Sequence, residues 1–374
     1  MLARLDVFSN ASAIERHAET LRDPIERLRY LRQATVATRR HRSRRRWLVW
    51  AAVAISMVTL RSDATYRLRK EPAPRAVSPI AEIHNVWPVE FTGDYDLYSN
   101  GLRIENRLSI SNEPRFYYLT ALDSGAIGPP RAQPAGIVFH TTESDQVPFE
   151  PGQKAALKRI GRELLLYVRN KRAYHFVIDR FGRVHRIVVE SDTANHAGHS
   201  VWADSRWSYL NLNDSFLGVA FEARTQPDQA TITEAQLRAA QQLTEMLRAK
   251  YDLPAEDCIV HAQVSVNPSN GRIGWHTDWG ADFPFRELGL PDNYQIPNPS
   301  IYLFGFEYDP AYTNATGPDL WKGLASADER VRQAAAEHRL TPGEYRKLLQ
   351  QRYRDAISAI QQKNAGEENQ HESN

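Results

Sequence analysis

Seven of the twelve histidines in this chain lie between positions 140 and 276: His140, His175, His185, His196, His199, His261 and His276. Imidazole changes charge near neutral pH and is a common metal ligand, so such a concentration offers proton transfer or metal chemistry. Cys258 is the sole cysteine, which leaves no internal disulfide and no thiolate cluster. Any metal must therefore be held by imidazole nitrogen and carboxylate oxygen. A catalytic zinc takes three protein ligands and keeps a fourth position open for water. His140 ends the apolar run IVFH, His261 ends CIVH, and Asp278 follows in HTDWG. These three residues can supply the set. They are far apart in the chain, so only folding can gather them, and a single histidine at a strand end serves equally well as a structural residue.

The surrounding pattern shows which elements must do the gathering. Ile137 to His140 predicts a short strand, and Gly152 to Asn170 a helix with Leu157, Ile160, Leu164 and Val168 on one face. Tyr174 to Asp179 and Val184 to Val189 flank a Gly-containing turn and predict a hairpin. Phe216 to Phe221 predicts a buried strand, Thr233 to Tyr251 a helix opened by a Thr233/Gln236 capping box, and Cys258 to His261 a last strand. The order β-α-β-β-β-α-β implies an α/β fold, a mixed central sheet flanked by helices. Both strand-end histidines then fall where open sheets place their sites. Tyr174 and His175 alternate, so one of them faces the site. His185 is expected on a solvated strand face, and Cys258 as a small buried apolar residue. The step from His196 to His199, in a Gly-containing loop, carries little weight as a chelating pair.

Several segments together resemble a known family. IVFHTTES, AYHFVIDRFGRVHRIV, NHAGHS, NLNDSFLGVAFEA, the Thr233 helix, IVHAQVSVNP and HTDWGADFPF occur in the order of the zinc-dependent N-acetylmuramoyl-L-alanine amidases, the type-2 amidase and peptidoglycan-recognition-protein superfamily. The resemblance covers roughly residues 135–285. It implies Zn2+ held by His140, His261 and Asp278, Tyr174 and His276 as catalytic donors, and His196 and Asn213 lining the groove for a muramyl-peptide. Members without the third ligand bind peptidoglycan without cutting it, so Asp278 points to an active enzyme. Two departures stand out. The central-strand position that holds a Glu general base in some members is Ala220 here, leaving Glu222 and Glu143 as candidates. The loop from His261 to Asp278 is also longer than the family pattern, which loosens the match at His276 more than at Asp278.

The net charge of +2 conceals an uneven chain. Residues 1–46 carry twelve Arg against five acids, a net of +7, which leaves −5 for the rest. Directly after RRHRSRRR comes Trp47 to Leu60, fourteen residues without a charge. Arginines followed by an apolar run have the polarity of an N-in membrane segment or a signal peptide. Fourteen residues fall short of the ~20 of a spanning helix, but Arg46 and Arg61 can snorkel to extend it. A cleaved signal peptide and a buried core helix are the other two readings. The expected organisation is an Arg-rich cytoplasmic leader with an amphipathic helix (1–46), a membrane anchor or signal segment (47–60), a linker (61–84) and a zinc amidase domain (85–290). A C-terminal helical extension (291–363) and a disordered tail (364–374) complete it. The catalytic part would face the periplasm or cell wall of a bacterial cytoplasmic membrane. Its acidic balance argues against a nucleic-acid partner, and no protein partner can be read.

Three functions compete on this basis. The first is zinc-dependent hydrolysis of the amide between N-acetylmuramic acid and L-alanine in peptidoglycan or muropeptides. The second is a non-catalytic peptidoglycan-binding module that tethers or senses the wall. The third is a membrane scaffold acting through the leader and C-terminal helices.

Overall fold

Long apolar runs with no alternation mark strands covered on both faces. The computed structural model bears this out for β5 (Gly136–Thr141) and β10 (Phe216–Phe221), which are buried along their whole length. It describes residues 85–198, 200–224, 232–267, 270–308 and 310–372, with backbone alone for 310–321 and 366–372. The leader, the apolar run 47–60, the linker and His199 lie outside the described residues. Among the described residues, no helix is long and apolar enough to cross a membrane.

Among the described residues, eight strands form the main sheet, while β4 (Thr120–Ala121), β8 (Trp202–Ala203) and β9 (Trp207–Tyr209) form a smaller one. β1 (Pro88–Phe91), β2 (Tyr95–Tyr98) and β3 (Arg103–Glu105) make one end; then come β7 (Val184–Arg186), β6 (Phe176–Ile178), β10, β5 and β11 (Cys258–Val260). The β6/β7 pair is the expected antiparallel hairpin, while β6, β10, β5 and β11 run parallel. Residues 85–105 are thus part of the same sheet rather than a separate layer, because β3 pairs in parallel with β7.

The two helices cover opposite faces. Helix α1 (Lys154–Asn170) packs Leu165 and Val168 on Val177, Ile187 and Ala220. Helix α2 (Glu234–Tyr251) packs Ala240, Leu243 and Leu247 on the face of Phe139, Val219 and Phe221. It starts with the predicted capping box: the Gln236 N–H donates to Thr233 Oγ1 and the Thr233 N–H donates to Gln236 Oε1. His185 departs from expectation. Its strand is interior to the sheet, so the ring is buried and its Nε2 lies 3.1 Å from Asp179 Oδ2. Cys258 is fully buried, as its apolar neighbours suggested.

Beyond the matched motifs, α3 (Pro310–Glu337) and α4 (Pro342–Glu372) pack on the same core. α3 packs closely at Gly323, where a Cβ would come within 2.5 Å of the Tyr294 carbonyl oxygen. α4 buries Leu349 and sets Tyr353 edge-on to Phe304 and Phe306, so its apolar stripe is core packing. The helix continues through Glu372, so residues 364–372, expected as a disordered tail, are helical; only Gly366 interrupts their helix-tolerant sequence. The C-terminal part also braces the long loop after His261. There β12 (Val266–Asn267) and β13 (Arg272–Ile273) form a hairpin, and β14 (Glu307–Tyr308) adds a third strand. Arg346 of α4 donates to the Phe306 carbonyl at 2.8 Å and pairs with Asp328 of α3.

Candidate metal centre

Strand register brings the two histidines together. In the parallel β5/β11 pair, Val260 sits opposite Phe139, so the next residues, His261 and His140, emerge side by side at the carboxyl ends. Phe139 points into the α2 face, which turns His140 to the other face, in register with Ala220. Asp278 arrives from the braced loop, where its carbonyl accepts the Ala262 N–H at 3.2 Å. The three side chains are buried, and each offers a ligand atom within 4.8 Å of the others. His140 Nδ1 lies 3.2 Å from Asp278 Oδ2, and His261 Nδ1 lies 2.9 Å from Oδ1 and 3.2 Å from Oδ2.

These separations fit a small tetrahedral cation, whose ligand atoms at bond lengths near 2.1 Å lie about 3.4 Å apart. Proton bookkeeping supports the same conclusion. His196 Nε2 lies 3.3 Å from the Phe216 carbonyl oxygen, which can only accept, so the His196 proton is assigned to Nε2. His196 Nδ1 is then an acceptor, and His140 Nε2, 3.2 Å away, donates to it. Burial, then the His261 charge, pushes His140 down to about 4 against the pull of Asp278, so it is neutral at pH 7 and its Nδ1 carries a lone pair. Burial works against the charge of Asp278, but the charge of His261 leads the contacts that outweigh it and hold the carboxyl far below the usual range. A bare nitrogen therefore faces an ionised carboxylate, two acceptors in contact, and a cation between them resolves the conflict. His261 Nε2 is buried with no hydrogen-bond partner among the described residues.

Around this centre the other sequence-derived residues divide. The Tyr174 ring lies 5.0 Å from the His140 ring, on a backbone with φ of 63°, a left-handed conformation that tyrosine rarely adopts. Burial first, then Asp278 and Glu143, push its phenol up, so it stays a proton donor. His276 stacks on His261 at 4.7 Å and is anchored by its N–H to Ser265 Oγ at 3.1 Å. Burial, then the His261 charge, hold its imidazole below the ordinary value. His175 turns away from the centre, with Nδ1 accepting the Gly218 N–H at 2.9 Å. His196 touches the metal ligand itself, while Asn213 Oδ1 accepts the N–H groups of His196, Ala197 and Gly198 at 2.9, 2.8 and 2.8 Å.

The two base candidates also separate. Glu222 is buried against Gly161 of α1 and accepts the Arg180 N–H at 3.1 Å; burial pushes its carboxyl up. Glu143 is exposed, accepts the Thr141 hydroxyl at 2.6 Å, and acts electrostatically on Tyr174. Of the two, Glu143 alone acts on Tyr174 beside the centre. Sequence reasoning missed Arg115. Its buried guanidinium, pushed down to about 10 by burial, donates to the carbonyls of Glu190, Asp192, Asp214 and Phe216. A lone Arg in the aromatic stretch RFYYL was its one signal.

Residues 130–281 match the family model of N-acetylmuramoyl-L-alanine amidases. No curated protein matches the chain in sequence. Among solved structures, AmpDh3 of Pseudomonas aeruginosa, in complex with an anhydromuramic pentapeptide, is 22% identical, over 44% of this chain and 63% of that one, with a TM-score of 0.31. The chain thus spans 63% of that structure's length. AmiD of E. coli, bound to anhydro-N-acetylmuramic acid-L-Ala-D-gamma-Glu-L-Lys, is 18% identical over 56% of this chain and 96% of that one, with a TM-score of 0.34. Drosophila PGRP-LB is 17% identical over 43% of this chain and 86% of that one, with a TM-score of 0.23.

Proposed function

We propose that the chain, whose residues 130–281 match the N-acetylmuramoyl-L-alanine amidase family model, hydrolyses the amide between the lactyl group of N-acetylmuramic acid and L-alanine of peptidoglycan, using zinc. The observation that carries this reading is the buried convergence of His140, His261 and Asp278 inside the matched segment.

His140 and His261 would hold the ion through imidazole nitrogen and Asp278 through carboxylate oxygen. When bound, zinc supplies Lewis acidity toward the scissile carbonyl and lowers the pKa of water to ~7. The chain's own residues do the rest. Tyr174 keeps its proton and donates a hydrogen bond to the oxygen that gains negative charge as the carbonyl is attacked. Glu143 takes the proton of the attacking water and hands it on to the departing L-alanine nitrogen, while His276 offers an N–H to the developing oxyanion. Asn213 and His196 build the wall of the site.

The Arg-rich leader and the run 47–60 are read as an N-in anchor. It would hold the catalytic part on the periplasmic side of a bacterial cytoplasmic membrane, where peptidoglycan lies. Domain limits follow the sequence pattern, with the catalytic domain at 85–290 and a helical extension at 291–363.

The test is mass spectrometry of purified sacculi and of soluble muropeptides treated with the full chain, with and without a chelator. Free stem peptides beginning at L-alanine, lost on chelation and restored by zinc, are expected. Sacculus binding without released peptide would overturn hydrolysis in favour of a wall-binding module.

A further inference from the structure

Among the described residues, His196 is the one outside the ligand set whose ring nitrogen meets a ligand nitrogen. Its Nδ1 lies 3.2 Å from His140 Nε2, with the two rings nearly perpendicular at 83°. We propose that His196 is a positioning residue: it accepts the His140 Nε2 proton and so fixes the tautomer that presents the His140 Nδ1 lone pair to the metal. This inference rests on the zinc reading above and assigns His196 a role other than lining a substrate groove.

Every feature around His196 serves that orientation. Its Nε2 donates to the Phe216 carbonyl at 3.3 Å, which leaves Nδ1 free to accept. Arg115 donates to the same carbonyl at 3.3 Å and holds it from the other side. Asn213 clamps three successive N–H groups of the His196 loop with one oxygen, so the main chain carrying the ring cannot drift. Gly218 supplies the space: a Cβ there would come within 2.6 Å of His196 Cγ. A ligating histidine whose other nitrogen is committed to a fixed partner binds metal in one orientation, and loss of such a partner typically costs about 10–100-fold in metal affinity. Here the partner is a second imidazole rather than a carboxylate. It contributes no negative charge, so orientation is the whole of its effect.

The experiment measures zinc affinity of the full chain by competition with a chromophoric chelator, for the wild type, His196→Phe and His196→Asn. Phe keeps the ring volume and removes the acceptor, whereas Asn keeps an oxygen near the place of Nδ1. Wild type is expected to bind one zinc. His196→Phe should bind about 10–100-fold more weakly, and His196→Asn should recover most of the loss, with zinc-free unfolding temperatures unchanged. Long-range 1H–15N NMR of the zinc-free wild type adds a measurement that needs no variant, and the His140 proton is expected on Nε2. Equal zinc affinity in His196→Phe, or a His140 proton on Nδ1, would overturn the proposal. A raised KM in His196→Phe at unchanged zinc affinity would return His196 to the substrate groove. Absence of stoichiometric zinc in the wild type would instead sink the zinc reading itself, and this proposal with it.

Discussion

Two of the places where charge is buried are built on opposite principles. Beside β7, Arg186 donates to Glu190 at 2.9 and 3.1 Å, to Asp96 at 2.7 Å and to Asn106, while Lys250 approaches Glu190 at 3.4 Å. Two cations meet two carboxylates, and every bond runs from donor to acceptor. At the metal centre one carboxylate meets two imidazoles, an accepting nitrogen faces an accepting oxygen, and His261 Nε2 has no partner among the described residues. The first cluster is complete as protein and needs nothing else. The second is complete only with a cation. Buried charge by itself therefore does not mark a site; a mismatch between donors and acceptors does.

This contrast can be broken at either end. The largest effect is expected from Asp278→Ala, which should abolish both zinc binding and zinc-dependent peptide release while circular dichroism stays native. Retained activity would refute the ligand set. Arg186→Met attacks the balanced cluster and strands Asp96 and Glu190, with an expected loss of about 3–5 kcal/mol in denaturant unfolding and no change in zinc affinity.

The same cluster predicts a pH dependence. Burial works against the charge of Glu190, but Arg186 first and then Lys250 outweigh it and hold the carboxyl below its ordinary 4.5. A depressed carboxyl contributes stability above its unfolded value and loses it as pH falls through the folded one. Wild-type stability should therefore drop below about pH 4.5, and Arg186→Met should flatten that acid limb in pH-dependent melts.

Smaller effects sharpen the assignment of roles within the metal centre. Tyr174→Phe and Glu143→Gln should each lower kcat about 100-fold at unchanged zinc affinity, since one removes an oxyanion donor and the other a proton acceptor. Glu222→Gln should leave turnover unchanged, because that carboxyl is engaged with Arg180 under α1. A large loss from Glu222→Gln with none from Glu143→Gln would reverse the base assignment.

How much of this could be read beforehand follows the range of each interaction. The β10 run and the Thr233/Gln236 capping box are local patterns, and the structure reproduces them because neighbours in sequence dictate them. Tyr174 and His175 do point apart, but the strand starts only at Phe176 and Tyr174 holds a left-handed backbone, so the turn before the strand sets their orientations rather than strand alternation. Arg115 was not legible: its partners, the carbonyls of Glu190, Asp192, Asp214 and Phe216, lie far along the chain and have no side-chain signature. The interior place of His185 depended on β3 pairing with β7, a long-range choice that composition does not announce.

The sequence by itself determined the kind of site this chain can have. One cysteine and a histidine-rich stretch limited the ligands to imidazole and carboxylate, and the motif order named His140, His261 and Asp278. Tertiary structure decided which partners each of these meets. Register between β5 and β11 set the histidines side by side, the braced loop delivered Asp278, and packing on Gly218 turned His196 toward His140. Residue types carry chemical capacity locally, but proton placement and ligand geometry arise from contacts between distant segments, which exist only once the chain is folded.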